Sequence, residues 1–258
     1  MNIFVINSGS SSIKYQFFKM PSEQPICSGL VERIGLEDSI ITHKVYTDGE
    51  EKVVKRVLDL PDHEAGMFEV GHLLTEPGIG VIQNPEEIEI VGHRVVHGGE
   101  SFSKTTIITP EVKEEIKKLF PLAPLHNPGH SLGIEVAEII FHKATQVAVF
   151  DTAFHQTMPE KAYRYAIPPS YYTDYGIRVY GFHGTSHKYV AEQALLYLGN
   201  PGAKIITIHL GNGCSMAAVD GGICIDTSMG LGPLDGLVMG TRSGNIDASI
   251  VFHLVSHL

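Results

Sequence analysis

Asn2-Ile3-Phe4-Val5-Ile6-Asn7-Ser8-Gly9-Ser10-Ser11-Ser12-Ile13-Lys14-Tyr15-Gln16-Phe17-Phe18 decides how the rest of the chain is read. Ile3 to Ile6 is a short apolar, β-rich run, which predicts a strand buried on both faces. The small residues Asn7 to Ser12 then suit a tight turn. Ile13, Tyr15 and Phe17 alternate with Lys14, Gln16 and Lys19, so the second strand keeps one exposed face. A strand that ends in a glycine and serine turn directs backbone N–H groups and hydroxyls at one point. Such a turn can cradle a phosphate, with Lys14 near enough to add charge. An ordinary surface turn has the same local sequence.

The device returns 202 positions later, where Ile205-Ile206-Thr207-Ile208 takes the place of Ile3 to Ile6 and Gly211 that of Gly9. Two strand–turn–strand units this far apart predict two similar domains, 1–150 and 151–258, each offering a phosphate loop to a shared cleft.

The sequence has 258 residues, 43% hydrophobic and 19% charged, which is the balance of a globular protein with a full core. A net charge of −10 with no local Lys/Arg cluster argues against nucleic acid as a partner. Cys27, Cys214 and Cys224 are odd in number and widely spaced, so no disulfide framework is expected. No run of about 18 apolar residues and no signal peptide is recognised, so no membrane is expected and the cytoplasm is the expected location.

In chain order, Cys27 to Tyr46 reads as strands, with Asp48-Gly49 as a hairpin turn. Asp62 to Leu74 reads as a helix with Ala65, Phe68, Leu73 and Leu74 on its apolar side. Ile88 to Gly99 reads as a strand running into a glycine pair. Thr109 is the expected N-cap of a helix that ends near Pro121. Leu122 to Gly133 reads as loop, Ile134 to Phe141 as helix and Gln146 to Phe150 as a core strand. Asp151 therefore lies just past a strand's C-terminal end, where open α/β sheets place ligands. A helix is expected over about Lys188 to Leu198, a glycine-rich loop over Ser228 to Gly244, and an apolar helix from about Asp247. That last helix is still apolar at Leu258, which reads as a truncated chain.

The pairs His93/His97, His126/His130 and His183/His187 have a spacing that would aim both rings at one metal on a helix. HRVVH reads as strand, however, HNPGH contains Pro and Gly, and no HExxH is present, so a zinc hydrolase is the weaker alternative. Neither GxGxxG opening a helix nor GxxxxGK[ST] occurs. Arg94 precedes Gly98-Gly99, and Arg242 lies within Gly240-Thr241-Arg242-Ser243-Gly244. Glycine admits a ligand close to the backbone, and arginine offers a planar fork to carboxylate or phosphate. Two such arginines, two glycine turns and a strand-end aspartate together favour phosphoryl transfer.

NSGSSSIKY, GHRVVHGGE, LAPLHNP, FDTAFHQTMP, GFHGTSHKYV, HLGNGCS and MGTRSGNID, in this order, make the chain resemble the acetate kinase family over nearly its whole length. The resemblance implies an α/β fold of duplicated actin-like ATPase (ribonuclease H-like) domains, the second one truncated. It implies reversible, Mg²⁺-dependent phosphoryl transfer from ATP to acetate, giving acetyl phosphate and ADP, in a homodimer. Propionate as acceptor, or a non-catalytic fragment of such an enzyme, are the alternatives. By matched motif, Asn7 is implied at the metal, with Ser10, Ser12, Lys14 and the segment His209-Leu210-Gly211-Asn212-Gly213 at the phosphates. Arg94 and Arg242 are implied to grip acetate and the phosphoryl group, and His183 to stabilise its equatorial oxygens. Asp151 is implied to act at the metal or the nucleophile, and Val96, Leu125, Phe182 and Pro233 to receive the acetate methyl.

Acetate is already ionised at neutral pH, so no base is needed to create the nucleophile. The difficulty is to bring one anion onto another, which calls for positioning and charge neutralisation. Placing Mg²⁺ or water is therefore the better role for Asp151 than taking a proton. Members of the family continue well past position 258, with a glycine-rich adenosine-binding segment and a distal metal-binding glutamate.

Overall fold

A computed structural model describes residues 1–47 and 49–258, which fall into two compact units: residues 1–97 with 105–149, and residues 98–104 with 150–258. The fold is mixed α/β, as expected. Unit 1 is built on an eight-stranded sheet of order β5-β4-β3-β2-β1-β6-β8-β7. Its strands are β1 (Asn2–Ser8), β2 (Ser12–Lys19), β3 (Cys27–Glu32), β4 (Ser39–Thr47), β5 (Glu50–Leu58), β6 (Ile90–Val95), β7 (Thr106–Ile107) and β8 (Thr145–Phe150). β1 to β5 form an antiparallel meander, and β6 lies parallel to β1. The order β3-β2-β1-β6-β8 is the 3-2-1-4-5 arrangement of a ribonuclease H-like sheet. Of the expected Asp48-Gly49 turn, Asp48 lies outside the described residues, and Gly49 has φ +84.

Period-two burial fixes the register of the first hairpin. Phe4, Ile6, Ile13, Tyr15 and Phe17 point into the core, where α1 (His63–Thr75) adds Met67, Val70, Leu73 and Leu74. α3 (Asn127–Ile140) closes the same core through Val136 and Ala137. Tyr15 lies across from Gly29 in β3, where any Cβ would intrude into its ring, and its hydroxyl meets His43 Nδ1 at 2.7 Å. Thr109 caps α2 (Pro110–Lys118) by accepting from the Val112 N–H, as predicted, and Asp62, expected inside the helix, caps α1 by accepting from the Ala65 N–H.

Three expectations for unit 1 are corrected. Val5 is 37% exposed, so β1 is buried on one face only, because helices cover only that face within the described chain. Phe68 points outward at 40% exposure, and Gly66, Met67, Val70 and Gly71 join the expected Leu73 and Leu74 in the buried stripe of α1. α3 begins at Asn127, seven residues before the predicted start. Pro128 fits its first turn, where the missing N–H is not needed. Gly129 and Gly133, one helical turn apart, are not breakers here. A Cβ would stand 3.5 Å from the Gly9 carbonyl oxygen at position 129 and 3.0 Å from Ser8 Cβ at position 133. The glycines let the helix lie against the β1–β2 turn.

Unit 2 has a three-stranded antiparallel sheet, β9 (Lys204–Leu210), β10 (Cys214–Asp220) and β11 (Ile223–Thr227), with β10 in the middle. Its helices are α4 (Glu160–Tyr163), α5 (Ser170–Tyr175), α6 (Gly184–Leu198) and α7 (Ser249–His257). The loop 98–104 belongs to this unit: Thr152 Oγ1 accepts from the Gly98 N–H at 2.9 Å, and Gln156 Nε2 donates to the Gly99 carbonyl. α6 starts four residues earlier than predicted, since the backbone of His183 is left-handed (φ +59) and turns Gly184-Thr185-Ser186-His187 into the first helical turn. Ser228 to Gly244 carries no helix or strand, as expected.

β9 repeats β1 at an offset of 202, from Asn2 onto Lys204 to Ser8 onto Leu210. The turn differs. Ser8 pairs with Ile13 in the first hairpin, whereas Leu210 pairs with Cys214 in the second, so the second turn is one residue shorter. One residue reverses the faces of a strand. Ile206, Ile208 and Leu210, counterparts of the buried Phe4, Ile6 and Ser8, are therefore 61%, 52% and 79% exposed, and Thr207 faces inward.

Burial holds several histidines neutral. His93, His97, His155 and His187 are pushed down from 6.5 to about 4, and His130 to about 3. Between about pH 4 and 6.5 the unfolded chain binds protons at these sites and the folded chain does not. Stability must therefore fall as pH is lowered through that window, by about 1.4 kcal/mol per pH unit for each fully affected histidine. The urea midpoint is expected to drop markedly from pH 7 to pH 5. Equal midpoints would mean that these rings take up protons inside the fold.

Candidate active site

In unit 1 the β1–β2 turn is closed by the Gly9 N–H donating to the Ser12 carbonyl at 2.7 Å. His63 Nε2, in the first turn of α1, donates to the Gly9 carbonyl at 2.6 Å. Asn7 pairs with Lys14 across β1 and β2, and Arg94 lies one residue beyond the Ile6–His93 pair of β1 and β6. The three side chains thus stand in a row over adjacent strands, on one face. Arg94 Nη1 donates to Asn7 Oδ1 at 3.4 Å. Lys14 and Ser10 are exposed, and Asn7, Ser12 and Arg94 are half-buried. Two cations and a polar turn at the end of a central strand form a seat for an anion.

Behind this row, Asn127 clamps the backbone of His97 from both sides. Its Oδ1 accepts from the His97 N–H at 3.1 Å, and its Nδ2 donates to the His97 carbonyl at 3.0 Å. His130, one turn along α3, is 3% exposed, and neither ring nitrogen meets a hydrogen-bond partner among the described residues. Burial first, then the charge of Arg94, keeps this ring neutral. Sequence reasoning treated His130 only as half of a possible metal pair. The signal that it belongs beside Arg94 is the helical phase of α3, hidden by Pro128 and Gly129.

In unit 2, Asp151 follows β8 and is 2% exposed. Its carbonyl accepts from the Gly184 N–H at 2.9 Å, an approach so close that a Cβ on Gly184 would overlap the oxygen. This contact holds the start of α6 and, with it, His183. The His183 ring stacks on that of His209 at 4.1 Å between centroids. His209 Nδ1 meets Ser186 Oγ at 2.9 Å. Around Gly213 two charged or chargeable groups converge: a Cβ there would stand 3.0 Å from Arg242 Nη1 and 3.4 Å from His183 Nε2. Arg242 is anchored by donating to the Pro233 carbonyl at 2.9 Å. His209, Gly213, His183 and Arg242 are thus assembled at the second glycine turn, with Leu210, Gly211 and Asn212 exposed beside them.

The residues expected around a methyl group are divided. Val96 and Leu125 lie in unit 1, and Phe182 and Pro233 in unit 2. Val96 and Phe182 are buried and Pro233 is half-buried, while Leu125 is 77% exposed. Among the described residues no three His, Cys, Asp or Glu side chains converge as a metal-ligand set. The three cysteines are buried and unbridged, and among the described residues no helix is long and apolar enough to cross a membrane.

The family profile described as the acetokinase family matches residues 2–258. The acetate kinase of Flavobacterium johnsoniae is 58% identical over the whole of this chain and 64% of its own length. Among solved structures, Porphyromonas gingivalis acetate kinase superposes with a TM-score of 0.90 at 44% identity, over 99% of this chain and 64% of that one. A propionate kinase from Francisella tularensis superposes with a TM-score of 0.92 at 45% identity over the same shares. The chain thus spans a little under two thirds of the length of these relatives.

Gly213→Val is expected to drive Arg242 and His183 apart while leaving the fold intact, since position 213 is a half-exposed turn outside the left-handed φ region. Binding of inorganic phosphate, read by calorimetry, should weaken by roughly tenfold or more, about 1.4 kcal/mol. Unchanged affinity in a folded variant would remove this turn from the site.

Proposed function

Since the chain belongs to the acetokinase family, we propose that it carries the catalytic residues of an acetate kinase, which moves a phosphoryl group reversibly between ATP and acetate. The observation that carries this reading is the convergence of Arg242 and His183 on Gly213 in the second glycine turn. A second reading, propionate as the acceptor, is favoured by the nearly equal likeness to a propionate kinase. A fragment that binds without catalysing is the remaining alternative.

The chemistry needs charge placed in advance. Acetate and the terminal phosphate are both anions, and the transferring phosphoryl spreads charge over its equatorial oxygens. Arg94 is assigned to the acetate carboxylate and Arg242 to the phosphoryl group, each a rigid planar donor held by a fixed acceptor, Asn7 Oδ1 or the Pro233 carbonyl. His183 is assigned to an equatorial oxygen, and Ser10, Ser12, Lys14 and His209 to Gly213 to the phosphates. Val96, Phe182, Pro233 and Leu125 are assigned to the acyl chain. An apolar pocket separates acetate from propionate by only about 1–3 kcal/mol, so the two acceptors compete.

Mg²⁺ fits as part of the substrate rather than as a resident ion. Unit 1 offers the Asn7 carboxamide and unit 2 the buried Asp151 carboxylate, each too sparse for a cage, which suits a cation carried on nucleotide phosphates with its waters. Mg²⁺ neutralises phosphate charge when bound, and Asp151 orients it or a water. The full-length protein is read as a cytoplasmic homodimer with two actin-like domains, 1–150 and from 151 onward.

The full-length protein is expected to form acyl phosphate from ATP and a short carboxylate, trapped as the hydroxamate with acetate, propionate and butyrate in turn. No product from any of the three would overturn the kinase reading. Arg94→Ala and Arg242→Ala should each lower kcat about a hundredfold or more, the cost of roughly 3 kcal/mol for one preorganised charge contact. Lysine at either position should not restore the rate, because the planar fork is lost. Near-normal turnover in a folded variant would return that arginine to a surface role.

A further inference from the structure

His183 stands at the head of a hydrogen-bonded chain that no role assigned above uses. Its Nδ1 meets Ser215 Oγ at 2.9 Å, and the same oxygen meets His187 Nε2 at 2.8 Å. His187 Nδ1 meets Thr207 Oγ1 at 2.8 Å, and Thr207 Oγ1 donates to the Ala217 carbonyl at 3.5 Å. Ser215, His187 and Thr207 are all buried, at 0%, 1% and 3% exposure, so water does not replace these contacts. His155 packs edge-on against the His187 ring at 5.8 Å and limits its rotation.

The proton positions follow from counting donors. His187 is neutral, because burial and then the neighbouring His155 and His209 push it down to about 4, so it has one N–H and one lone pair. Thr207 lies beside a carbonyl that can only accept. If its hydroxyl proton points there, its oxygen is free to accept from His187 Nδ1–H. His187 Nε2 must then accept from Ser215, whose oxygen in turn accepts from His183 Nδ1–H. This setting makes all four bonds, whereas the reverse setting loses the one to Ala217. In a buried network the fuller setting is preferred.

We propose that Ser215, His187 and Thr207 are positioning residues, a chain that holds His183 with its proton on Nδ1 and its Nε2 turned to Gly213. The inference rests on the reading of His183 as a phosphoryl-facing group. A ring held in this way presents a lone pair at Nε2, and it donates to an anionic oxygen only after taking up a proton there. The order mirrors a buried carboxylate that fixes a histidine from behind, with a hydroxyl and a second neutral imidazole in its place.

The test is the tautomer of His183 in the full-length protein labelled with ¹⁵N at histidine, read from long-range ¹H–¹⁵N spectra above the ring's titration range. The expected result is a protonated Nδ1 and an unprotonated Nε2. Ser215→Ala and Thr207→Val should each let the Nε2–H form appear, and should lower kcat by about tenfold with KM little changed, since neither residue touches substrate. Thr207→Ser keeps the hydroxyl and should behave like the unmodified protein. A proton found on Nε2 in the unmodified protein, or a tautomer unmoved by Ser215→Ala, overturns the proposal. Should the unmodified protein make no acyl phosphate, the kinase reading fails by itself, while the spectra still decide the hydrogen-bonded chain.

Discussion

The arrangement of unit 1 depends on how closely one helix can approach one turn. α3 comes within contact distance of Ser8 and Gly9, and the missing side chain of Gly133 leaves the room for it beside Ser8. A side chain at position 133 would force Ser8 or the helix to give by a few tenths of an ångström, whereas a Cβ at position 129 would only touch the Gly9 carbonyl. That approach brings Asn127 within reach of His97, so both backbone groups at the exit of β6 are satisfied by one buried carboxamide. With the exit of β6 fixed, Arg94 is held beside Asn7, and the cation row keeps its spacing. Overpacking a contact of this kind costs about 1–3 kcal/mol, but the larger loss is geometric.

Unit 2 solves the same problem with a different set of contacts. Its close approach is between the Gly184 backbone and the Asp151 carbonyl, and its polar groups are imidazoles and hydroxyls rather than a carboxamide. Keeping the buried rings neutral matters, because a positive charge on His187 would face His155 and His209 and weaken the electrostatic contrast around Arg242. Arg242 brings a permanent positive charge to the second turn, anchored through the Pro233 carbonyl. An anion meets a preorganised donor and pays little reorganisation on arrival.

Both units use small residues where backbone must approach backbone, and both place cationic side chains at the edge of a glycine turn. This arrangement suits the proposed phosphoryl transfer to a carboxylate, in which the nucleophile is already ionised and the task is to bring anions together. It also explains why acid sensitivity belongs to the scaffold: the histidines that must stay neutral lie behind the turns.

The sequence alone determined the first hairpin, its core face of Ile13, Tyr15 and Phe17, and the strand ending at Asp151, because alternation and glycine breaks are local signals. It also determined the 202-residue repeat and the family, through motifs kept in order. It did not determine the start of α3, since Pro128 and Gly129 read as breakers until their neighbours Ser8 and Gly9, more than a hundred residues away, are known. Nor did it determine that β9 turns Ile206, Ile208 and Leu210 outward, because one residue fewer in a turn reverses a strand while leaving its composition unchanged. The chain from His183 through Ser215 and His187 to Thr207 joins α6 to β9 and β10, a pairing that is purely tertiary. A hydrogen bond has a reach of about 3 Å, so only the packing of α6 on the β9–β10 hairpin decides which hydroxyl a histidine finds.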